Sequence, residues 1–431
     1  MTKFSNEAPR NILIIGSGGR EHALGWKLRQ SKLVYNIYYA PGNGGTSKNV
    51  GIEANQISDL IAFAKKYNCL TIIGPEAPLA NGIVDSFHVA NLPILGPFKE
   101  GAMLESSKVF SKQFMKQNNI PTADFRVFSN SEDATDYVKN RDSEVVIKVN
   151  GLAAGKGVFI PSHRDGALET IQNIMDKKEF GEAGSKILVE RKLTGRELSL
   201  IILTDGSSFK LLASAKDYKR ILENDMGPNT GGMGSFSPVP FFSEEIYNMT
   251  LKKIVEPTMR GIRIFSEPFK GFLYFGLMLD EFTNDPYLLE FNVRMGDPEC
   301  QPIMLRMKSD LYQYIQGTLD GSLETMEPFE WTSEHAVCVV MASQGYPGAF
   351  KSGLIIRGVD SDLGENVTVF HSGTTRDLGN QLLTRGGRVL GITACGLNLE
   401  TAAAHAYKAV EKVSWGNNEQ YYRKDIAKVM D

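Results

Sequence analysis

Glu290, Asn292 and Arg294 stand two apart in an otherwise apolar stretch, Leu288-Leu289-Glu290-Phe291-Asn292-Val293-Arg294-Met295. Read as a strand over 289–294, the alternation puts these three on one face and turns Leu289, Phe291 and Val293 into a core. That face carries a carboxylate, an amide oxygen and a guanidinium, and Gly296-Asp297-Pro298-Glu299 adds two more acids directly after it. Hard oxygen donors beside a cation suit a magnesium-bound phosphate group. The plainer reading is an edge strand with a solvated polar face.

Other segments offer partners for such chemistry. Val146-Ile147-Lys148-Val149 sets one lysine among apolar residues and leads into Gly151-Leu152-Ala153-Ala154-Gly155-Lys156-Gly157. A glycine-rich loop with a lysine can close over a triphosphate, donating amides and a point charge. Valine after Gly157 departs from the P-loop pattern. A strand lysine is otherwise a snorkelling edge residue. Lys186-Ile187-Leu188-Val189-Glu190-Arg191-Lys192-Leu193 runs a strand into a polar connector, with Gly195-Arg196-Glu197 behind it. Such a connector can read adenine through its backbone and an acid, although alone it is an ordinary strand end.

Nearer the start, Ile15-Gly16-Ser17-Gly18-Gly19-Arg20-Glu21-His22 closes a strand and opens a helix, either as an anion site or as a structural turn. Glu21 stands where the dinucleotide pattern has its third glycine, which disfavours a nicotinamide cofactor and invites a ribose hydroxyl. His22 reads as a packing residue. Pro41-Gly42-Asn43-Gly44-Gly45-Thr46 and Gly74-Pro75-Glu76-Ala77-Pro78-Leu79 follow the next two strands. Each is a stiff turn taken singly; gathered on one sheet edge, the three favour a shared pocket. Asp217-Tyr218-Lys219-Arg220 precedes the glycine-rich segment 225–234, which reads as a mobile active-site loop or lid, with a disordered surface loop as the alternative.

These residues need a multidomain scaffold. The chain has 431 residues, enough for roughly two to four cores. Strand and helix signals alternate over 11–96, which predicts an open parallel α/β sheet of Rossmann-like type. An amphipathic helix is expected over 107–118. From Val145 long strands dominate and predict an α+β unit built on one mostly antiparallel sheet. A smaller α+β unit begins near Trp331. The expected division is therefore 1–105, 106–330 and 331–431. With 42% hydrophobic and 23% charged residues and a net charge of −3, the composition is that of an ordinary globular protein with no general attraction to nucleic acid or acidic membranes. The four cysteines are widely spaced and read as reduced thiols. With no apolar run of about 18 residues and no signal-peptide pattern, a cytoplasmic location is expected.

Taken together, the lysine-ended strand, the Gly-Lys-Gly loop, the Glu190 connector and the Glu290-x-Asn292 pair resemble the ATP-grasp superfamily of carboxylate–amine ligases. More narrowly, the chain resembles the phosphoribosylamine–glycine ligase family of purine biosynthesis over about 12–426. The specific carriers are Gly18-Gly19-Arg20-Glu21-His22-Ala23-Leu24, Gly74-Pro75-Glu76-Ala77-Pro78-Leu79, the 151–157 loop, Gly227-Pro228-Asn229-Thr230-Gly231-Gly232-Met233-Gly234, and Arg294-Met295-Gly296-Asp297-Pro298-Glu299. The resemblance implies an ATP-grasp domain in the centre and ligation of glycine to 5-phosphoribosylamine through glycyl phosphate, with release of ADP and phosphate.

It also implies roles. Lys108, Lys148, Gly155, Lys156 and Gly157 would line the ATP site, with Lys148 and Lys156 on the phosphates. Glu190, Leu193 and Glu197 would hold the adenosine. Glu290 and Asn292 would bind Mg2+ or Mn2+. Arg294, Asp297 and Lys156 would be catalytic, Arg294 stabilising phosphoryl charge and Asp297 positioning the attacking amine. Gly18, Gly19, Glu21, Glu76 and Asp217, with Arg294 and Asp297, would bind substrate. A monomer acting on small molecules is implied.

Two departures stand out: Tyr218 where the family more usually has histidine, and Met295 where it has Phe or Leu. Many ATP-grasp enzymes also carry another metal carboxylate near the position of Met278, leaving that ligand absent here or replaced by Asp280 or water. Competing readings are another ATP-grasp acyl ligase or carboxylase, a non-catalytic nucleotide-binding protein on the same fold, and a nicotinamide oxidoreductase.

Overall fold

The computed structural model describes residues 10–142, 144–153 and 155–428. The first sheet contains Arg10–Gly16, Val34–Pro41, Cys69–Ile73 and Ile94–Leu95, all parallel, in the spatial order second, first, third, fourth. Ile12 to Ile15 are fully buried because helices cover both faces of the sheet, so this strand reads as a continuous apolar run rather than an alternating one. The helices Gly19–Leu28, Ile57–Tyr67 and Ile83–Val89 fall where the periodicity predicts them. A short helix, Glu76–Ala80, replaces the stiff turn expected after the third strand. Two consecutive helices, Lys99–Ser106 and Lys108–Gln117, then leave the sheet. Ser107 separates them, its hydroxyl capping the second by accepting from the Phe110 amide.

The central region holds two antiparallel sheets, where one is expected from the sequence. The smaller comprises Phe125–Phe128, Ile187–Arg191, Val145–Val149 and Val158–Phe159, in that order, over its own core of Val145, Ile147, Ile171 and Val189. The larger has the order Phe209–Leu211, Gly195–Thr204, Gly271–Asp280, Pro286–Asn292. Strands of both sheets carry the same apolar pattern, and partner choice is a long-range matter that no local pattern encodes.

A fourth sheet joins Lys216–Asp217 and Gly234–Ser237 to His335–Ser343, Arg388–Gly396 and Val367–His371. Residues well before 330 thus pair with strands beyond it. The 225–234 segment is not an open lid. Met226–Asn229 pairs with Arg220–Leu222 as a hairpin, and the Met233 amide donates to the Tyr218 carbonyl at 2.7 Å. Met233 is fully buried, so its apolar side chain pins the segment to the core. No helix among the described residues is long and apolar enough to cross a membrane.

Candidate active site

A cleft of about 1160 Å3 is lined by both central sheets, the first sheet's loops and Arg388. Its floor is the strand Pro286–Asn292. Glu290 pairs with Gly276 but Leu288 pairs with Leu277, so Leu289 is squeezed out as a bulge. Leu289 therefore does not turn into the core as simple alternation predicts. It lines the cleft with Glu290, and its carbonyl accepts from Lys148 Nζ at 3.4 Å. Beyond the bulge alternation resumes: Phe291 and Val293 are buried, while Glu290, Asn292 and Arg294 all face the cleft.

Burial alone would raise the Glu290 carboxyl, but Lys219, Lys108, Lys148 and Arg294 hold it at about 2. Asn292 Oδ1 accepts from Arg294 Nη1 at 2.9 Å. Two adjacent hard oxygens fit a magnesium ion that takes its remaining ligands from phosphate and water. Asp280 does not line the cleft; its Oδ1 accepts from the Phe282 and Thr283 amides of its own turn, both at 3.0 Å.

On the smaller sheet Glu190 is buried and bridged by Lys148 Nζ at 2.9 Å and Lys112 Nζ at 3.2 Å. Burial would raise its pKa; the two ammonium groups pull it below the usual carboxylate range. Its other oxygen has no hydrogen-bond partner among the described residues. Lys112, absent from the sequence-derived set, sits one helical turn after Lys108, a spacing that could have flagged it. Leu193 and Glu197 line the cleft, with Glu197 paired to Lys219 Nζ at 3.2 Å. Asp217 is pushed up to about 7, by burial first, with Lys219 opposing and Glu299, Glu197 and Glu290 adding to the rise. Glu299 is buried and accepts from Ser199 Oγ at 3.0 Å.

The glycine-rich loop is split. Gly155 and Gly157 line the cleft, but Lys156 does not. Gly155 takes a left-handed φ of +76°, and Lys156 Nζ lies 3.4 Å from the Pro347 carbonyl, at the edge of a second cavity of about 770 Å3. Ala154 lies outside the described residues.

The first sheet's loops contribute Gly16, Ser17, Gly18, Pro41, Pro75 and Glu76. The Gly18 amide donates to Glu21 Oε2 at 2.5 Å, and Arg20 Nε to Glu21 Oε1 at 2.7 Å. Asp297 Oδ2 accepts from the Arg20 amide at 3.4 Å. The helix N-terminus, open in sequence to either an anion or a structural turn, is thus already served by the protein's own carboxylates. Gly19 faces away from the cleft, where a Cβ would collide with Gln301 and Ser372. The 41–46 loop mainly braces the C-terminal sheet, Asn43 Nδ2 donating to the carbonyls of Ser17 and His371 at 2.9 and 2.8 Å.

Arg294 is held by acids from this side: Glu105 at 2.5 Å and Glu76 at 3.5 Å. Asp297 accepts from Gln301 Nε2 at 2.9 Å, and Arg388 Nη2 lies 3.6 Å from it. Burial raises its carboxyl, while Arg388 and Arg20 more than offset this. Arg388, from the C-terminal sheet, also donates to the Gly231 carbonyl at 2.6 Å.

Comparison with known proteins places the chain in a family. Models of the phosphoribosylglycinamide synthetase N domain, ATP-grasp (A) domain and C domain match residues 10–105, 106–300 and 336–429. A phosphoribosylamine–glycine ligase of Rhodopirellula baltica is 46% identical, with 97% of each chain covered. The crystal structure of phosphoribosylamine–glycine ligase from Thermotoga maritima superposes with a TM-score of 0.81 at 34% identity, covering 96% of this chain and 99% of that one. A biotin carboxylase from Campylobacter jejuni shares the fold at 15% identity, with a TM-score of 0.71 over 95% and 93% of the two chains. The chain belongs to the phosphoribosylglycinamide synthetase family, with its three-domain ATP-grasp architecture.

Proposed function

We propose that this cleft joins glycine to 5-phosphoribosylamine with cleavage of ATP, giving glycinamide ribonucleotide, ADP and phosphate. One observation carries the reading: Glu290, Asn292 and Arg294, Lys148 and Glu190, and Glu76 and Asp297 come from three sheets and their loops yet share one cavity. A carboxylate is a poor electrophile. Its oxygen therefore attacks the γ-phosphorus, ADP leaves, and glycyl phosphate forms. The amine of phosphoribosylamine then attacks the acyl carbon, phosphate departs, and the amine loses a proton. Such a sequence needs charge stabilisation and positioning more than a protein nucleophile.

In this reading Lys108 and Lys148 bind the ATP phosphates, and the 151–157 loop, with Lys156 swung from Pro347, closes over them. Glu190, Leu193 and Glu197 hold the adenosine. Arg294 stabilises the phosphoryl group in flight. Asp297, ionised and fixed by Gln301 and Arg388, accepts from the attacking amine. Gly18, Glu21 and Glu76 border the phosphoribosylamine site, and Asp217 borders the glycine site. Glu290 and Asn292 would hold a divalent cation, Mg2+ or Mn2+, which when bound supplies neutralising charge to the phosphates. We further assign 1–105, 106–330 and 331–431 as the domain divisions of the sequence in a cytoplasmic monomer, the strands Lys216–Asp217 and Gly234–Ser237 crossing from the second division into the sheet of the third.

ADP release dependent on both glycine and phosphoribosylamine tests the reaction. Glu290→Ala should lower that turnover at least about a hundredfold. A rate within a few-fold of the parent would remove Glu290 from the metal site. Turnover with an alternative acceptor in place of phosphoribosylamine would replace the proposed substrate.

A further inference from the structure

Glu105 is a buried acid that none of the motifs singles out. It lies in the last turn of helix Lys99–Ser106, the element that leaves the first sheet. That is a costly place for a carboxylate, because burial and the negative end of the helix both oppose its charge. Its two oxygens are both used, and both reach the same short stretch of the cleft floor. Oε2 accepts from the Val293 amide at 2.8 Å, and Oε1 accepts from Arg294 Nη2 at 2.5 Å. One carboxylate therefore fixes the backbone just before Arg294 and the end of its side chain.

The rest of the guanidinium is held more loosely, its Nε making no hydrogen bond among the described residues. Nη1 donates to Asn292 Oδ1 at 2.9 Å and to the Met295 carbonyl at 3.2 Å, while Nε lies 3.5 Å from Glu76 Oε2. An arginine side chain has several rotatable bonds, and a cation meant for a developing charge is most effective when it need not reorganise. Glu105 supplies the shortest of these contacts and also holds the Val293 amide beside Arg294.

Building on the proposed reaction, we propose that Glu105 is a positioning residue, which holds Arg294 in the orientation that meets the transferring phosphoryl group. It touches no reacting atom. It acts on the transition state through Arg294, so its loss should lower kcat while leaving ground-state binding largely in place.

The test is steady-state kinetics of the full chain, following glycine- and phosphoribosylamine-dependent ADP release, beside calorimetric binding of the non-hydrolysable analogue AMPPNP with Mg2+. Glu105→Gln keeps the size of the side chain but offers one acceptor where two are needed. It should lower kcat about 10- to 100-fold. The KM values for ATP and glycine, and the affinity and stoichiometry of AMPPNP, should stay within about threefold. Glu105→Asp, which keeps the charge, should fall between Glu105→Gln and the parent. A kcat within twofold of the parent in Glu105→Gln overturns the inference. So does a loss that tracks a fall in AMPPNP stoichiometry, because that is the mark of a purely structural role. Should the glutamine variant not fold, the aspartate variant decides: at least a threefold loss in kcat at unchanged KM supports the inference, and no loss overturns it. A parent protein that releases no glycine-dependent ADP would instead count against the reaction itself.

Discussion

The turn at 16–19 and the loop at 151–157 look alike in sequence. Each follows a buried strand, and each offers glycine amides beside a basic residue. In the fold they are opposites. The first is filled from within: Glu21 satisfies the Gly18 amide and the Arg20 guanidinium, and the chain closes so tightly around that carboxylate that a Cβ at Gly74 would overlap it. The second has no internal acid. Its lysine is exposed and leans on the Pro347 carbonyl, and a cavity of about 770 Å3 opens beside it. Glycine in a turn signals close approach to something. Whether that something is the protein's own carboxylate or a ligand depends on which charged side chain the rest of the fold delivers.

The largest effect should come from emptying the filled turn. Glu21→Ala leaves Arg20 buried without its partner and should cost about 3–5 kcal/mol of unfolding free energy. A loss under about 1 kcal/mol in urea titration would mean that the carboxylate does not hold the turn. The back of the same turn predicts an acid sensitivity. Burial first, then Arg29, lowers His22 to about 4; burial first, then His22, lowers His371 to about 3. The His371 amide donates to His22 Nδ1 at 2.9 Å, so the folded protein holds that ring neutral. Both folded pKa values lie below the unfolded value near 6.5, so their contribution is present above pH 6.5 and is lost as pH falls toward the folded values. Below about pH 6.5 each imidazole should lower unfolding free energy by up to about 1.4 kcal/mol per pH unit, partly offset over the same range by Asp217, whose carboxyl the fold raises to about 7. A flat profile down to pH 5 would break this prediction. The open loop should give the smallest stability effect. Lys156→Ala should change stability by less than about 0.5 kcal/mol. It should nonetheless raise the KM for ATP several-fold; an unchanged KM would retire Lys156 from the nucleotide site.

Much of the site was legible because it sits on periodic elements. Glu290, Asn292 and Arg294 share a face, as a strand requires, and Lys148 ends its strand in the same cleft. Leu289 failed the same rule because a bulge is set by the partner strand, here at Gly276 and Leu277. Glycine content alone does not reveal that Met233 is buried and pins the 225–234 segment, although Asp225, Asn229, Thr230 and Gly231 line the cleft as an active-site loop would. Lys112 and Glu105 were missed for a related reason. Each is an ordinary charged residue on a helix until an opposite charge distant in sequence arrives beside it.

The order of motifs, the parallel first sheet and the polar face of the Glu290 strand follow from sequence alone, because short-range periodicity and glycine placement encode them. Tertiary structure decided that the central strands form two sheets, that residues 216–217 and 234–237 join the C-terminal sheet, and that Lys156 faces away from the cleft. It also decided which charges neutralise one another: Glu190 with Lys112 and Lys148, Arg294 with Glu105 and Glu76. Those pairings depend on Coulomb interactions in a buried site between residues up to 218 positions apart. No local pattern carries that information.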